Sequence, residues 1–312
     1  MAQLLKSLDY ISRYESNPFH YSSEFIRLKQ ENWAKLLNEC ESQRLAFFSK
    51  NTGVSAETLG KIQEEHATFY PFKKHQANKA VLSRHNKEGE IKSKTDLMHY
   101  FLNQICLLHI KRASSILIHT SLITGSLNEE SDLIKLLQRF PDIYFIMYLP
   151  IFYIKNALVE ANILLISLLS IEIIEFVNYS KAASVFIERN RFWTVEQLGK
   201  REKIISLVIS LHQTEQIVQN ILRHDCIEFP IKKTVVAKEC RFYISKDPYQ
   251  VQLIDRPSYY NWFQAKRKFQ SPFKNTQLNG MNALLKHSQT SAVKRPEWTE
   301  EMLPQDEQIG DS

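Results

Sequence analysis

The chain has 312 residues, 44% hydrophobic and 24% charged, with a formal net charge of +6. These values fit one sizeable globular domain or two smaller ones, and the charge is too mild to demand nucleic acid or an anionic membrane as partner. With seven glycines and no Walker or dinucleotide fingerprint, a glycine-rich phosphate loop is argued against.

The four cysteines, Cys40, Cys106, Cys226 and Cys240, are scattered and form no CxxC pair. That usage predicts a reduced, cytoplasmic protein. The opening "MAQLLKSLDYISRYESNPF" lacks the basic start, apolar core and small-residue cleavage site of a secretory signal.

The first hundred or so residues read as helical. "SSEFIRLKQENWAKLLNEC" places Phe25, Leu28, Leu36, Leu37 and Cys40 near one helix face, with Ser22 or Ser23 as the cap. "SAETLGKIQEEH" starts on Ser55, "YPFKKHQANKAVLSRHNK" is a weaker basic helix, and "NKEGEIKSK" is a loop. "TDLMHYFLNQICLLHIKR" is a further helix, starting at Thr95 or Asp96. Its basic end on Lys111 and Arg112 suits the negative pole of the helix dipole.

From Ser115 the texture changes. "SSILIHTSLI" is a strand or a link, and "LNEESDLIKLLQRF" is an amphipathic helix stopped by Pro141. "IYFIMYLPIFYI", "ANILLIS" and "SIEIIEF" are short apolar runs, and "ASVFIERNRFWTV" reads as a strand with a turn. A long helix is expected over "EQLGKREKIISLVISLHQTEQIVQNILRH", followed by strands at "KKTVVAKE", "CRFYIS" and "YQVQLID". This order predicts an α/β chain with a mixed sheet flanked by helices. The expected division is a helical region over 1–114, an α/β domain over 115–262 and a flexible polar tail over 263–312.

The most apolar stretch, "EANILLISLLSIEIIEFVN", holds Glu160, Asn162, Glu172 and Glu175. A membrane-spanning helix needs about 20 mostly apolar residues. The uninterrupted run from Ile163 to Ile171 is about half that, and two glutamates follow it. Its β-branched content and the break at Leu168–Ser170 predict two antiparallel strands instead. Asn162 then starts one strand and Glu175 lies near the end of the next, side by side. Carboxylates at both places would hold a hard divalent cation. A lysine two positions after the second carboxylate would share its face and stabilise charge developing on a phosphate.

That layout resembles the PD-(D/E)xK nucleases, and the stretch from about Thr124 to Asp255 resembles their nuclease-related domain (NERD) branch, common in Gram-positive bacteria. "GSLNEESDLIKLLQRF" is similar to the family's opening helix, with Glu130 in the glutamate place. In the strand pair, Glu160 takes the glutamine place, Asn162 the aspartate place and Glu175 the glutamate place, while Val177 stands where the lysine belongs. Asn178 and Tyr179 match the Asn–aromatic pair that follows, and Trp193 and Gln197 match the segment leading into the long helix. The resemblance covers about two-fifths of the chain and implies a restriction-endonuclease-like sheet. It also implies a degenerate site, since an uncharged ligand replaces aspartate and the cation is gone. Single electrostatic groups of this kind are often worth roughly 10² to 10³ in rate.

The expected function is therefore a binding module for nucleic acid or a protein, with no resident cofactor. An active nuclease would need Mg²⁺ and a substitute cation such as Lys181. A regulatory protein without nucleic-acid contact is the remaining alternative. Lys266, Arg267, Lys268 and Lys274, in a basic stretch with interleaved phenylalanines, are the nucleic-acid candidates. Glu172 and Glu175, three apart on a strand, face opposite sides. Glu172 is expected at solvent or beside Arg189 or Arg191, and Glu130 at the surface or capping its helix. His99, Cys106 and His109 share a helix, but lack a fourth ligand at zinc spacing even with His119 nearby, and read as helix core.

Overall fold

The structure, a computed structural model, describes residues 1–15, 18–52, 94–122, 130–154, 157–188, 190–245, 250–269 and 275–295. The chain divides into a larger unit, Met1–Ser22 with Leu108–Ser312, and a smaller unit, Ser23–Leu107. The helices expected to start at Ser55 and Tyr70, the basic stretch between them and Thr95, and Lys274 lie outside the described residues, as does Arg189.

The smaller unit holds most of α1 (Pro18–Thr52) and of α2 (Lys94–Ala113). Leu97, Phe101 and Ile105 recur at the four-residue helical step and are buried. Trp33 meets Phe101 with ring centroids 5.1 Å apart. Cys106 lies in the same apolar stripe, and burial pushes its thiol up to about 12. It is a core residue rather than a ligand thiolate. His99, on the same helix, is exposed.

The larger unit is built on a six-stranded sheet, in the order β1 (Gln3–Ser7), β3 (Phe145–Tyr148), β6 (Ile163–Ile166), β7 (Ile171–Val177), β11 (Ile231–Ala237), β13 (Val251–Ile254). Only β6 in this sheet runs against its neighbours. The expected hairpin is present: Ile163 pairs with Ile174 and Ile166 with Ile171. Its turn is held by Ser167, whose backbone N–H and hydroxyl both donate to the Ser170 carbonyl at 3.0 and 2.7 Å.

Helices cover both faces of this sheet, so β6 is buried at every position. On one face lie α4 (Leu207–His224) and α6 (Asn275–Lys286); on the other lie α3 (Ser131–Arg139) and α5 (Arg256–Lys268). In α4, Val208, Leu211, Thr214, Ile217, Val218, Ile221 and Leu222 are buried, at steps of three and four. α5 starts with a reciprocal cap between Asp255 and Ser258. Among the described residues, no helix is long and apolar enough to cross a membrane.

A second sheet has the order β10 (Lys200–Ile205), β9 (Phe192–Gln197), β8 (Ser184–Ile187), β12 (Arg241–Ile244). Its inner face, with Val185, Ile187, Trp193 and Val195, joins the core shared with α4 and β7. Among the described residues two further antiparallel pairs occur: β4 (Ile151–Ile154) with β5 (Ala157–Glu160), adjacent in the chain, and β2 (His119–Thr120) with β14 (Val293–Lys294), distant in it.

Three expectations from sequence are corrected. The N-terminal region is not helical from its start. "QLLKS" forms β1, parallel to β3, with all five residues buried. Lys6 gives this strand a polar look, but its ammonium is enclosed and bonds Glu15 at 3.0 Å and Thr290 at 2.7 Å. The backbone N–H of Leu4 donates to His109 Nε2 at 2.7 Å.

The long helix does not begin at Glu196. Leu198 and Gly199 both adopt positive φ, 53° and 76°, forming a two-residue hairpin loop between β9 and β10. Helix starts only at Leu207.

The region beyond Phe263 is not all a loose tail. α5 runs to Lys268, and α6 buries Leu278, Met281, Leu284 and Leu285 in the main core. Residues 296–312, the acidic end, lie outside the described residues.

Candidate functional site

β3, β7 and β11 end together, and β6 begins beside them. Clefts at the carboxyl ends of parallel strands are where α/β sheets present functional side chains. Asn162, just before β6, stands opposite Glu175 on β7, and its side-chain N–H₂ donates to the Glu175 carboxylate. Sequence reasoning foresaw this pairing.

The orientation of the amide follows from α4. Thr214 Oγ1 accepts from the Asn162 backbone N–H at 3.1 Å, so its own proton goes to Asn162 Oδ1, at 2.7 Å. The carbonyl end is thereby occupied and the N–H₂ end faces Glu175. Asn162 is buried and Glu175 half-buried. Burial raises the Glu175 pKa; the Asn162 hydrogen bond lowers it in part, and the nearby Glu160 carboxylate adds to the rise.

The other positions singled out from the sequence surround this pair unevenly. Glu160 ends β5 and is exposed. Glu130, exposed at the start of α3, makes no side-chain cap; it accepts from the Tyr148 hydroxyl at 3.0 Å. Burial, that bond, and the Glu130 and Glu175 charges all raise the Tyr148 pKa. Tyr148 thus stands within electrostatic reach of both glutamates, a role that sequence reading missed.

Val177 is buried in the main core, so position 177 is apolar in its surroundings as well as its identity. Gln197, on β9, donates to Ser180 Oγ at 3.0 Å. Lys181 is exposed and lies 3.7 Å from Glu239. Lys238 follows β11 directly, one position past the Ala237–Val177 pair. Its ammonium contacts Asp132 and sits 4.8 Å from the Phe176 ring centroid. Asn178 donates to the same Asp132 carboxylate at 3.2 Å. Side chains alternate along a strand, so this cation occupies the face opposite Glu175.

The set does not fit Mg²⁺. That ion requires oxygen ligands in near-octahedral order. Here a fixed N–H donor points at the principal carboxylate.

Glu172 is not at solvent. It is almost fully buried on the α5 face and accepts from Thr234 Oγ1 at 2.8 Å and from Trp262 Nε1 at 3.3 Å. It is also ion-paired with Lys266. This overturns the expected surface position of Glu172, and it engages Lys266, one of the nucleic-acid candidates, in an ion pair. A buried carboxylate needs a partner, and an amphipathic helix crossing from the chain's far end supplies it. Arg267 and Lys268 are exposed on the last turn of α5.

A second surface was not visible in the sequence. Strand pairing places Phe192, Thr194 and Glu196 of β9 on the outer face of the small sheet, with Ile205, Lys203 and Arg201 opposite them on β10. Phe186 and Tyr243 continue this face. Their rings stack at 5.2 Å and 19°. Tyr243 and Phe192 are 47% and 49% exposed, which is high for large aromatic side chains. Arg201, Lys203 and Arg241 are exposed beside them. Among these cations, Arg201 bonds Glu196 at 2.9 Å.

A 44-residue stretch of the chain is 54% identical to an RNA 2',3'-cyclic phosphodiesterase of Geobacillus stearothermophilus, covering 14% of this chain and 14% of that protein. No family model and no solved structure matches the chain.

Proposed function

We propose that this chain is a nuclease-like, NERD-type module that has lost its cleavage chemistry and binds single-stranded nucleic acid. The observation that carries the binding part is the stacked Phe186–Tyr243 pair among Phe192, Lys203, Arg201 and Arg241 on an open sheet face. Exposed aromatic faces stack unpaired bases at about 1–3 kcal/mol per base, and flanking cations hold the phosphates. The loss of chemistry is supported by the amide aimed at Glu175, by apolar Val177, and by Lys181 and Lys238 being engaged elsewhere.

RNA is the first ligand to try, because the short similarity is to a protein named for RNA. The test is fluorescence anisotropy with labelled single-stranded RNA and DNA, with EDTA or Mg²⁺, alongside a gel for cleavage. Binding without cleavage is expected, weakened roughly tenfold by Tyr243→Ala and unchanged by Glu175→Ala. Divalent-dependent cleavage lost in Glu175→Ala would establish an active nuclease instead. Neither binding nor cleavage would leave a protein partner as the target of a regulatory role.

A further inference from the structure

The geometry points to a surface site for a borderline divalent transition metal such as Zn²⁺, formed by His224, Asp225 and His287. It is independent of the nucleic-acid reading and lies outside the Asn162–Glu175 cluster. His224 ends α4, Asp225 follows it, and His287 follows the last turn of α6. One ligand atom from each of the three lies within 4.8 Å of the others.

The same carboxylate oxygen serves both imidazoles. Asp225 Oδ1 is 2.8 Å from His224 Nδ1 and 3.9 Å from His287 Nε2. The rings stand 5.3 Å apart and nearly perpendicular, at 83°. An ion with ligand bonds of about 2.0–2.1 Å in tetrahedral order needs ligand atoms a little over 3 Å apart. The present spacings bracket that value, so side-chain rotation alone would close the site. Two imidazoles and one carboxylate, with a fourth position left to water, form a zinc-type donor set. The C-terminal pole of α4 adds favourable potential for a cation.

The groups facing the site from both helices are His224 and Asp225 on the α4 side, and Lys286 and His287 on the α6 side. Lys286 and both histidines act electrostatically on Asp225. Lys286 opposes the metal, and its substitution should tighten binding.

The site would clamp α4 to the segment that follows α6. That segment lies on β4: Tyr153 N–H donates to the His287 carbonyl at 3.3 Å, and Gln289 N–H donates to Ile151 O at 2.7 Å. A bound metal would therefore fasten the β4–β5 hairpin to the core.

The test is calorimetric titration of the full chain with Zn²⁺, repeated with Co²⁺ for its visible ligand-field spectrum, beside His224→Ala, His287→Ala and Asp225→Asn. His212→Ala, another helix-surface histidine, is the control. Saturable one-to-one binding is expected, weakened about tenfold or more in each of the three variants and unchanged in the control. Zn²⁺ should raise the Tm of the wild type and not of His287→Ala. His224 is 73% exposed by side chain, so its variant should fold, which circular dichroism checks. No saturable binding by the wild type, or wild-type affinity retained in both histidine variants, overturns the site.

Discussion

Asn162 presents its amide N–H₂ to Glu175 because Thr214 holds the other end of that amide. A residue on α4 thus decides what the sheet offers beside Glu175. Glu175 also carries a raised pKa, from burial first, with Glu160 adding to it. A carboxyl whose folded pKa lies above its unfolded one favours the fold while protonated. Its contribution is lost as pH rises through the window above the ordinary glutamate value. Glu175→Gln should therefore raise Tm at pH 7 and leave it unchanged near pH 4, where both forms are neutral. A thermal-melt series across pH reads this directly.

Asn162→Asp is the complementary change. It places two carboxylates in contact, which raises one of their pKa values further. The variant should lose stability at pH 7 and recover much of it with millimolar Mg²⁺ or Mn²⁺, whereas the wild type should show no such metal response. Urea titrations with and without the ion compare the two.

The ion pair between Glu172 and Lys266 joins β7 to α5. Removing one partner of a buried pair leaves an uncompensated charge, at about 3 kcal/mol or more. Lys266→Met should lower stability by about that amount, towards the low end because Lys266 is partly exposed. Affinity for nucleic acid should not change. A loss of binding with stability intact would return Lys266 to the interface.

Leu284 is fully buried on α6. Leu284→Ala should cost about 2–5 kcal/mol in urea unfolding. A loose tail would predict no measurable cost, so equilibrium unfolding separates the two.

Gly199 sits at φ 76° with nothing within 4 Å of an added Cβ. Any cost of Gly199→Ala is then backbone strain alone, about 1–2 kcal/mol. The measured loss should be no larger than that, and Gly199→Asn should recover part of it because asparagine tolerates this conformation.

The sequence by itself determined the central hairpin, the amphipathic helices α3 and α4, and the presence of asparagine at 162 and valine at 177. These are written in local signals: β-branched runs around Ser167–Ser170, apolar steps of three and four, and valine at 177. It also determined that Glu172 and Glu175 serve opposite faces, since strand alternation is fixed by backbone geometry. The two-residue turn at Leu198–Gly199 was legible in principle, with its glycine between alternating residues, yet the similarity of the flanking segment to a helix approach concealed it.

Only the tertiary structure decided which distant groups meet. Lys6 closes on Thr290, Leu4 on His109, Glu172 on Lys266, and Asn162 on Thr214. Each contact satisfies a buried polar group whose partner lies far along the chain. The cost of leaving such a group unpaired selects the partner, but nothing in the local sequence says where that partner is. The same holds for β1, whose short mixed sequence becomes a strand because β3 presents an open edge. It holds too for Phe186, Phe192 and Tyr243, which form one surface only once strand register aligns them.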